Sequence, residues 1–272
     1  MLMKHKFLLI GILPLLLGLA ACDNNEEELK KLAAQLDEQA ALLENQDKAI
    51  SEQNQKIATL QEQLKQSQEA AQLVHGYKAV DLGLSVRWAT CNVGAANPEE
   101  PGYYLQWGAI EEQEFYNYPL VRFWDDDYSE WTKYCYSDNK TTLESDDDAA
   151  SRVMGSPWRM PTIGEVQQLV DSCTWEYAVI GETEGAVVTG PNGNSIFIPA
   201  AGYKVDDSDV SELNECAYYW TASLDGESSA RTFFFGIRLD PEAEVETKII
   251  SDYYSSYDER YYGQSVRAVC AY

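Results

Sequence analysis

Gly155-Ser156-Pro157-Trp158-Arg159-Met160-Pro161-Thr162 opens the stretch that decides the fold, and Asn192-Gly193-Asn194-Ser195-Ile196-Phe197-Ile198-Pro199-Ala200-Ala201-Gly202-Tyr203 closes it. Between them, Thr162 and Glu165 form a T-x-x-E capping box, in which the hydroxyl takes a free N–H of the first turn and the carboxylate reaches back. Val166, Leu169, Val170 and Cys173 follow at i, i+3, i+4 and i+7, one apolar helix face. Ala186-Val187-Val188 and Ile196-Phe197-Ile198 then flank Pro191-Asn192-Gly193, and Asn-Gly is the pair a tight primed turn wants. The stretch therefore reads as helix, hairpin and a Pro/Gly-rich loop at the centre of a globular domain.

Outward from this centre, period-two alternation of Val80, Leu82, Leu84, Val86 and Trp88 predicts a half-buried strand or hairpin. Ser265 to Tyr272 predicts a last strand able to pair with it, which would join the ends of the domain. Strand-like runs also occur at Tyr103–Gly108, Tyr218–Ser223 and Thr232–Leu239, and a short helical piece near Asp147–Met154. Few helices, short strands and long loops predict an α+β domain over residues 77–272. Trp88, Trp107, Trp158 and Trp220 all sit in strand-like or framework positions and are assigned to its core.

The 272 residues carry a formal charge of −25, which disfavours nucleic acid and a bare anionic membrane surface as partners. The two histidines, His5 and His75, lie outside residues 77–272, so no His-based triad or His metal cluster is expected there. Asp125–Asp127 and Asp146–Asp148 offer hard oxygens for calcium but lack EF-hand spacing, and both read as solvated loops. Besides Cys22 there are Cys91, Cys135, Cys173, Cys216 and Cys270, an odd number with no C-x-x-C pair, so zinc or thiol redox chemistry is not expected. No carboxylate pair stands out for glycoside hydrolysis. The expectation is a protein that is not an enzyme and holds neither metal nor cofactor.

Residues 1–21 read as a targeting segment, with Lys4 and Lys6 ahead of the apolar run Phe7–Leu17. Leu19-Ala20-Ala21-Cys22 resembles a bacterial lipobox, which implies lipidation of Cys22 and a membrane partner reached through that anchor. Residues 22–28 form an acidic linker. It resembles the surface-export signal of lipoproteins in the Bacteroides group, so the expected location is the outer membrane, facing outward.

Leu29, Leu36, Leu43, Ile50, Ile57, Leu64 and Ala71 recur every seven residues, and the positions three later include Gln39, Gln46 and Gln53. A strict heptad of this length predicts a left-handed coiled coil over 29–75, read as a stalk. A homo-oligomer is expected, a trimer ahead of a dimer, with a single solvated helix as the other reading. Gly76 is expected to end the helix, with His75 in its last turn.

Asp81-Leu82-Gly83-Leu84-Ser85-Val86-Arg87-Trp88-Ala89-Thr90-Cys91-Asn92-Val93-Gly94-Ala95 resembles the opening of the Fibrobacter succinogenes major paralogous domain family. Tyr103–Gly108, Trp158–Thr162, Asn192–Tyr203, Tyr219–Ser223 and Ser265–Val269 resemble its later motifs in order. The resemblance implies a C-type-lectin-like fold: a small sheet joining the termini, two helices, and a long irregular region that presents a ligand face. The family includes targets of diversity-generating retroelements, whose variable stretch precedes a similar ending. Ser251–Asp258 is rich in the Tyr, Ser and Asp such variation yields; an ordinary Tyr/Ser-rich loop is the other reading.

Tyr and Ser are the adaptable vocabulary of binding surfaces. The expected ligand face is Asp225, Glu227, Ser228 and Arg231 together with Asp252, Tyr253, Tyr254, Ser255, Ser256, Tyr257, Asp258 and Arg260, with Tyr218 beside them. The expected partner is an extracellular glycan or protein. A structural envelope lipoprotein whose coiled coil is the functional part is the alternative.

Overall fold

The computed structural model describes residues 26–125, 130–207, 209–243 and 247–272. The targeting segment, Cys22 and the start of the acidic linker lie outside the described residues, as do Asp126 and Asp127. The chain divides into two units, residues 1–69 and 70–272.

The described residues of the first unit form one helix, α1 (Glu26–Ala71), of 46 residues, roughly 70 Å at 1.5 Å per residue. Glu26, Glu27 and Glu28 in its first turn favour the helix dipole. Leu43, Ile50, Ile57 and Leu64 of the heptad series are each about half exposed, from 47% to 59%. No helix among the described residues is long and apolar enough to cross a membrane.

The helix stops at Ala71, earlier than the heptad pattern suggests. Leu73–Val74 (β1) pair instead with the start of β2 (Tyr77–Asp81). His75 and Gly76, with φ of 50° and 84°, make the two-residue turn between them; two left-handed residues are what a primed hairpin turn requires. Gly76 thus marks a hairpin rather than a helix cap. The Trp158 indole N–H holds β1 by donating to Val74 O at 2.9 Å.

The second unit is α+β and mostly sheet. Strands β1, β2, β3 (Arg87–Asn92) and β10 (Arg267–Cys270) form one antiparallel sheet in that order, so the first and last strands of the domain do pair. Next come α2 (Ala149–Met154) and α3 (Ile163–Ser172). The capping box forms at α3: Thr162 accepts from Glu165 N, and Glu165 accepts from Thr162 N at 2.8 Å. Val166 and Leu169 are buried, as the apolar face requires.

Strands β4 (Thr174–Ile180), β5 (Thr183–Thr189) and β6 (Ser195–Pro199) form a second sheet, with Val187 opposite Phe197. Its hairpin tip is five residues, 190–194, longer than the tight turn Asn-Gly suggests. The extra length lets Asn192 and Asn194 both donate to Asp81 O, at 2.9 and 2.8 Å, docking the tip on the β2–β3 turn.

Strands β7 (Cys216–Leu224), β8 (Ser229–Leu239) and β9 (Lys248–Glu259) form the third sheet, order β7-β8-β9. All four framework tryptophans are at most 2% exposed. Trp107 and Trp220 can be buried because their N–H groups donate to Thr221 O and Leu105 O, at 2.9 and 2.7 Å. Of Tyr103–Gly108 only Leu105 bridges, to Gln264.

Two expectations are corrected here. Residues 251–258 are not a loop but the heart of β9, paired with β8 apart from a register shift between Ser251 and Tyr254. Asp147 and Asp148 are not solvated, each being 3% exposed. Asp148 caps α2 through Ser151 N and also accepts from Met160 N, both at 2.8 Å. Asp147 accepts from Arg122 and Tyr134, both at 2.7 Å, and from Lys133. Placed between β-structure and loop, these carboxylates satisfy donors that would otherwise be orphaned.

Candidate functional site

Strand geometry decides which of the expected ligand residues meet. Side chains alternate across a strand, so a contiguous run cannot form one surface. Tyr253 stacks on Trp175 of β4 at 5.2 Å and 16°, and the Ser255 hydroxyl donates to Gln167 of α3. Tyr257 shares that face. Tyr254, Ser256 and Asp258 point the other way, Tyr254 packing on Phe234 at 5.1 Å. The run therefore splits between two faces; the side chain of Asp252 is outside the described part.

The second face continues into a chain of rings. Phe234 meets Tyr218, Tyr218 meets Tyr203, Tyr203 meets Tyr262, and Tyr262 meets Tyr261, each at 4.7 to 5.5 Å. Tyr218 donates its hydroxyl to Glu212 at 2.8 Å. Burial, that hydrogen bond and the nearby negative charge push its pKa up. Asp258 accepts from Gln264 at 2.6 Å. Burial, against that hydrogen bond, raises its carboxyl to about 6.

The chain of rings ends at a groove of about 690 Å³ lined by Tyr118, Trp124, Glu130, Trp131, Cys135, Tyr136, Ser137, Gly226, Glu227 and Ser228. Tyr261 meets Tyr118 at 5.9 Å. Tyr118, Trp124 and Trp131 pack edge to face at 4.8 to 6.0 Å, an arrangement aromatic quadrupoles favour. Two of the expected ligand residues, Glu227 and Ser228, contribute to its wall. Glu227 Oε1 accepts from Tyr136 N at 2.9 Å, tying the β7–β8 turn to the 130–137 segment.

Arg260 lies behind this wall and not on it. It is 0% exposed, so its expected place on the ligand face is corrected. Its guanidinium lies 3.8 Å from the Trp131 ring centre and 4.7 Å from that of Trp107. Nη1 donates to Tyr134 O and Glu227 O, at 3.1 and 2.9 Å, while Nε and Nη2 have no protein partner. Burial lowers its pKa to about 9. The planar group stacks where an ammonium could not, and it holds the groove's back wall in place. Asp225 and Arg231 pair with each other at 2.7 Å and so satisfy one another at the turn.

The groove residues from Tyr118 to Ser137 were missed in the sequence. The available signal was aromatic density: Tyr116, Tyr118, Phe123, Trp124, Trp131, Tyr134 and Tyr136 fall within 21 residues of mixed polar chain. Nothing periodic accompanies it: among its described residues the segment has one turn of 3-10 helix at Tyr118–Leu120 and isolated bridges such as Trp124 to Trp131.

Among the described residues no three His, Cys, Asp or Glu gather to hold a metal ion. The five described cysteines are free thiols. Comparison of the chain with family models, characterised proteins and solved structures finds no match to any of them.

Proposed function

We propose that this is a surface lipoprotein, anchored in the outer membrane through Cys22, that displays a ligand-binding head on an oligomeric stalk for adhesion or recognition of an extracellular glycan or protein. The observation that carries the reading is the groove: tryptophan and tyrosine faces beside carboxylate and hydroxyl groups, held open by a buried Arg260. Sites of this kind use rigid aromatic area for affinity and a few polar groups for orientation.

The finer fold reading, a C-type-lectin-like head on a coiled coil, belongs to the same proposal. It is supported by β3–β10 pairing across the ends of the head, by two helices, and by the irregular region between β3 and α2. The stalk is supported by the half-exposed apolar stripe of α1, which seeks a matching helix. Oligomers of the stalk would make weak heads multivalent.

A binding screen of the full chain in detergent against glycan and cell-surface protein arrays tests the reading. Two variants run beside it: Trp124→Ala in the groove, and Tyr253→Ala/Tyr254→Ala/Tyr257→Ala on β9. A ligand lost with Trp124→Ala supports the head as a receptor through the groove. A ligand lost only with the tyrosine variant moves the site to β9. No ligand at all shifts weight to a structural envelope protein whose helix is the functional part.

A further inference from the structure

The groove is aromatic and acidic, and its charge is unbalanced. Glu130 and Glu227 line it, and no Lys or Arg does. Among the described residues neither carboxylate has an ion-pair partner within 4 Å, and Glu227 is engaged only by the Tyr136 backbone N–H. Arg260 is fully buried behind Trp131. Two carboxylates therefore line the groove with no cation on its wall, and the Arg260 guanidinium is walled off by the indole. The whole chain carries a formal charge of −25.

We propose that the groove binds an organic cation, the ammonium or guanidinium group of a basic peptide or a free amine, against the faces of Trp124, Tyr118 and Tyr136 and beside Glu130 and Glu227. This rests on the reading of the groove as the ligand site and names the chemistry of its ligand. Ring faces carry negative potential and attract a cation placed over them. Carboxylates at the rim add direct attraction, and the net charge of the protein steers cations toward it. Arg260 occupies the inner face of Trp131, so that indole serves as wall and the cation is left to the other rings. A neutral sugar would use the same rings but would gain little from two carboxylates without ion-pair partners. An anion would be repelled by them.

The test titrates the full chain with N-acetylarginine amide, with the tripeptide Arg-Arg-Arg, with the neutral isostere N-acetylcitrulline amide and with a neutral N-acetylglucosamine trimer. Tryptophan fluorescence reports binding. The expected result is saturable binding of the arginine probe, about tenfold tighter than citrulline, weakened by raising salt toward 1 M. Glu130→Gln/Glu227→Gln should lose about tenfold while keeping its circular dichroism spectrum, since Glu130 is exposed and a Gln oxygen at 227 can still accept from Tyr136 N. Tighter binding of the tripeptide than of the single residue would support a peptide as the source, and equal binding a free amine. Equal binding of arginine and citrulline probes, or no binding of any cation, overturns the proposal. Sugar binding that disappears in Trp124→Ala overturns it too, but leaves the groove as the ligand site.

Discussion

The Arg260 guanidinium lies 3.8 Å from the centre of the Trp131 ring, with no carboxylate paired to it among the described residues. A buried cation is held here by two indoles, two backbone carbonyls and packing. Trp131 forms the back of the groove, so the geometry of the candidate site depends on a residue that never reaches solvent.

Arg260→Ala should therefore damage both stability and binding. It leaves a void between Trp107 and Trp131 and frees Tyr134 O and Glu227 O. Losses of this size cost about 2–4 kcal/mol. Arg260→Lys should also destabilise, since an ammonium cannot stack on two rings. Urea unfolding measures the loss; a wild-type midpoint in either variant would remove the arginine from this role.

Asp258 should make the head less stable at neutral pH than in mild acid. Its folded pKa, about 6, lies above the ordinary carboxylate value, so the folded state holds the proton more tightly. The stabilisation is complete below about pH 4 and is lost as pH rises through about 6. Asp258→Asn should keep the bond from Gln264, gain about 1–2 kcal/mol at pH 7 after allowance for solvent screening, and flatten the profile between pH 4 and 6. Thermal unfolding across that range is the measurement; a variant profile identical to wild type would contradict the assignment.

Gly190→Ala should destabilise the head despite lying in a loop. A Cβ there would sit 2.0 Å from Leu82 O, and backbone cannot move aside cheaply. The expected loss is about 3 kcal/mol. Gly193→Ala, which meets nothing within 4 Å but has φ of 84°, should cost about 1 kcal/mol, the strain of a left-handed residue. The two midpoints compared in one urea series separate clash from strain.

Ile50→Lys together with Ile57→Lys should leave the helix formed but make the chain monomeric. Both side chains are 52% exposed in the single chain and fall on the heptad seam. Sedimentation equilibrium of wild type and variant decides; a wild-type monomer would end the coiled-coil proposal.

The α3 capping box, the apolar face of that helix, the β5–β6 hairpin and the β3–β10 closure were all readable in the chain. Each depends on residues near one another or on a simple period. The end of α1 was not, because a glycine closing a helix and a glycine turning a hairpin look alike until Leu73–Val74 find β2. Asp147 and Asp148 read as a solvated acidic run because their donors, from Arg122 to Met160, are brought to them only by folding.

The sequence by itself determined the long heptad helix, the α+β character of the head and its tryptophan core, since periodicity, capping and hydrophobic burial act locally or by composition. Only the tertiary structure decided where a ligand could sit. Pairing of residues 251–258 with β8 set their alternation and sent neighbouring tyrosines to opposite faces. Packing of Arg260 between Trp107 and Trp131, residues more than a hundred positions away, turned an expected surface cation into the support of a groove built from another part of the chain.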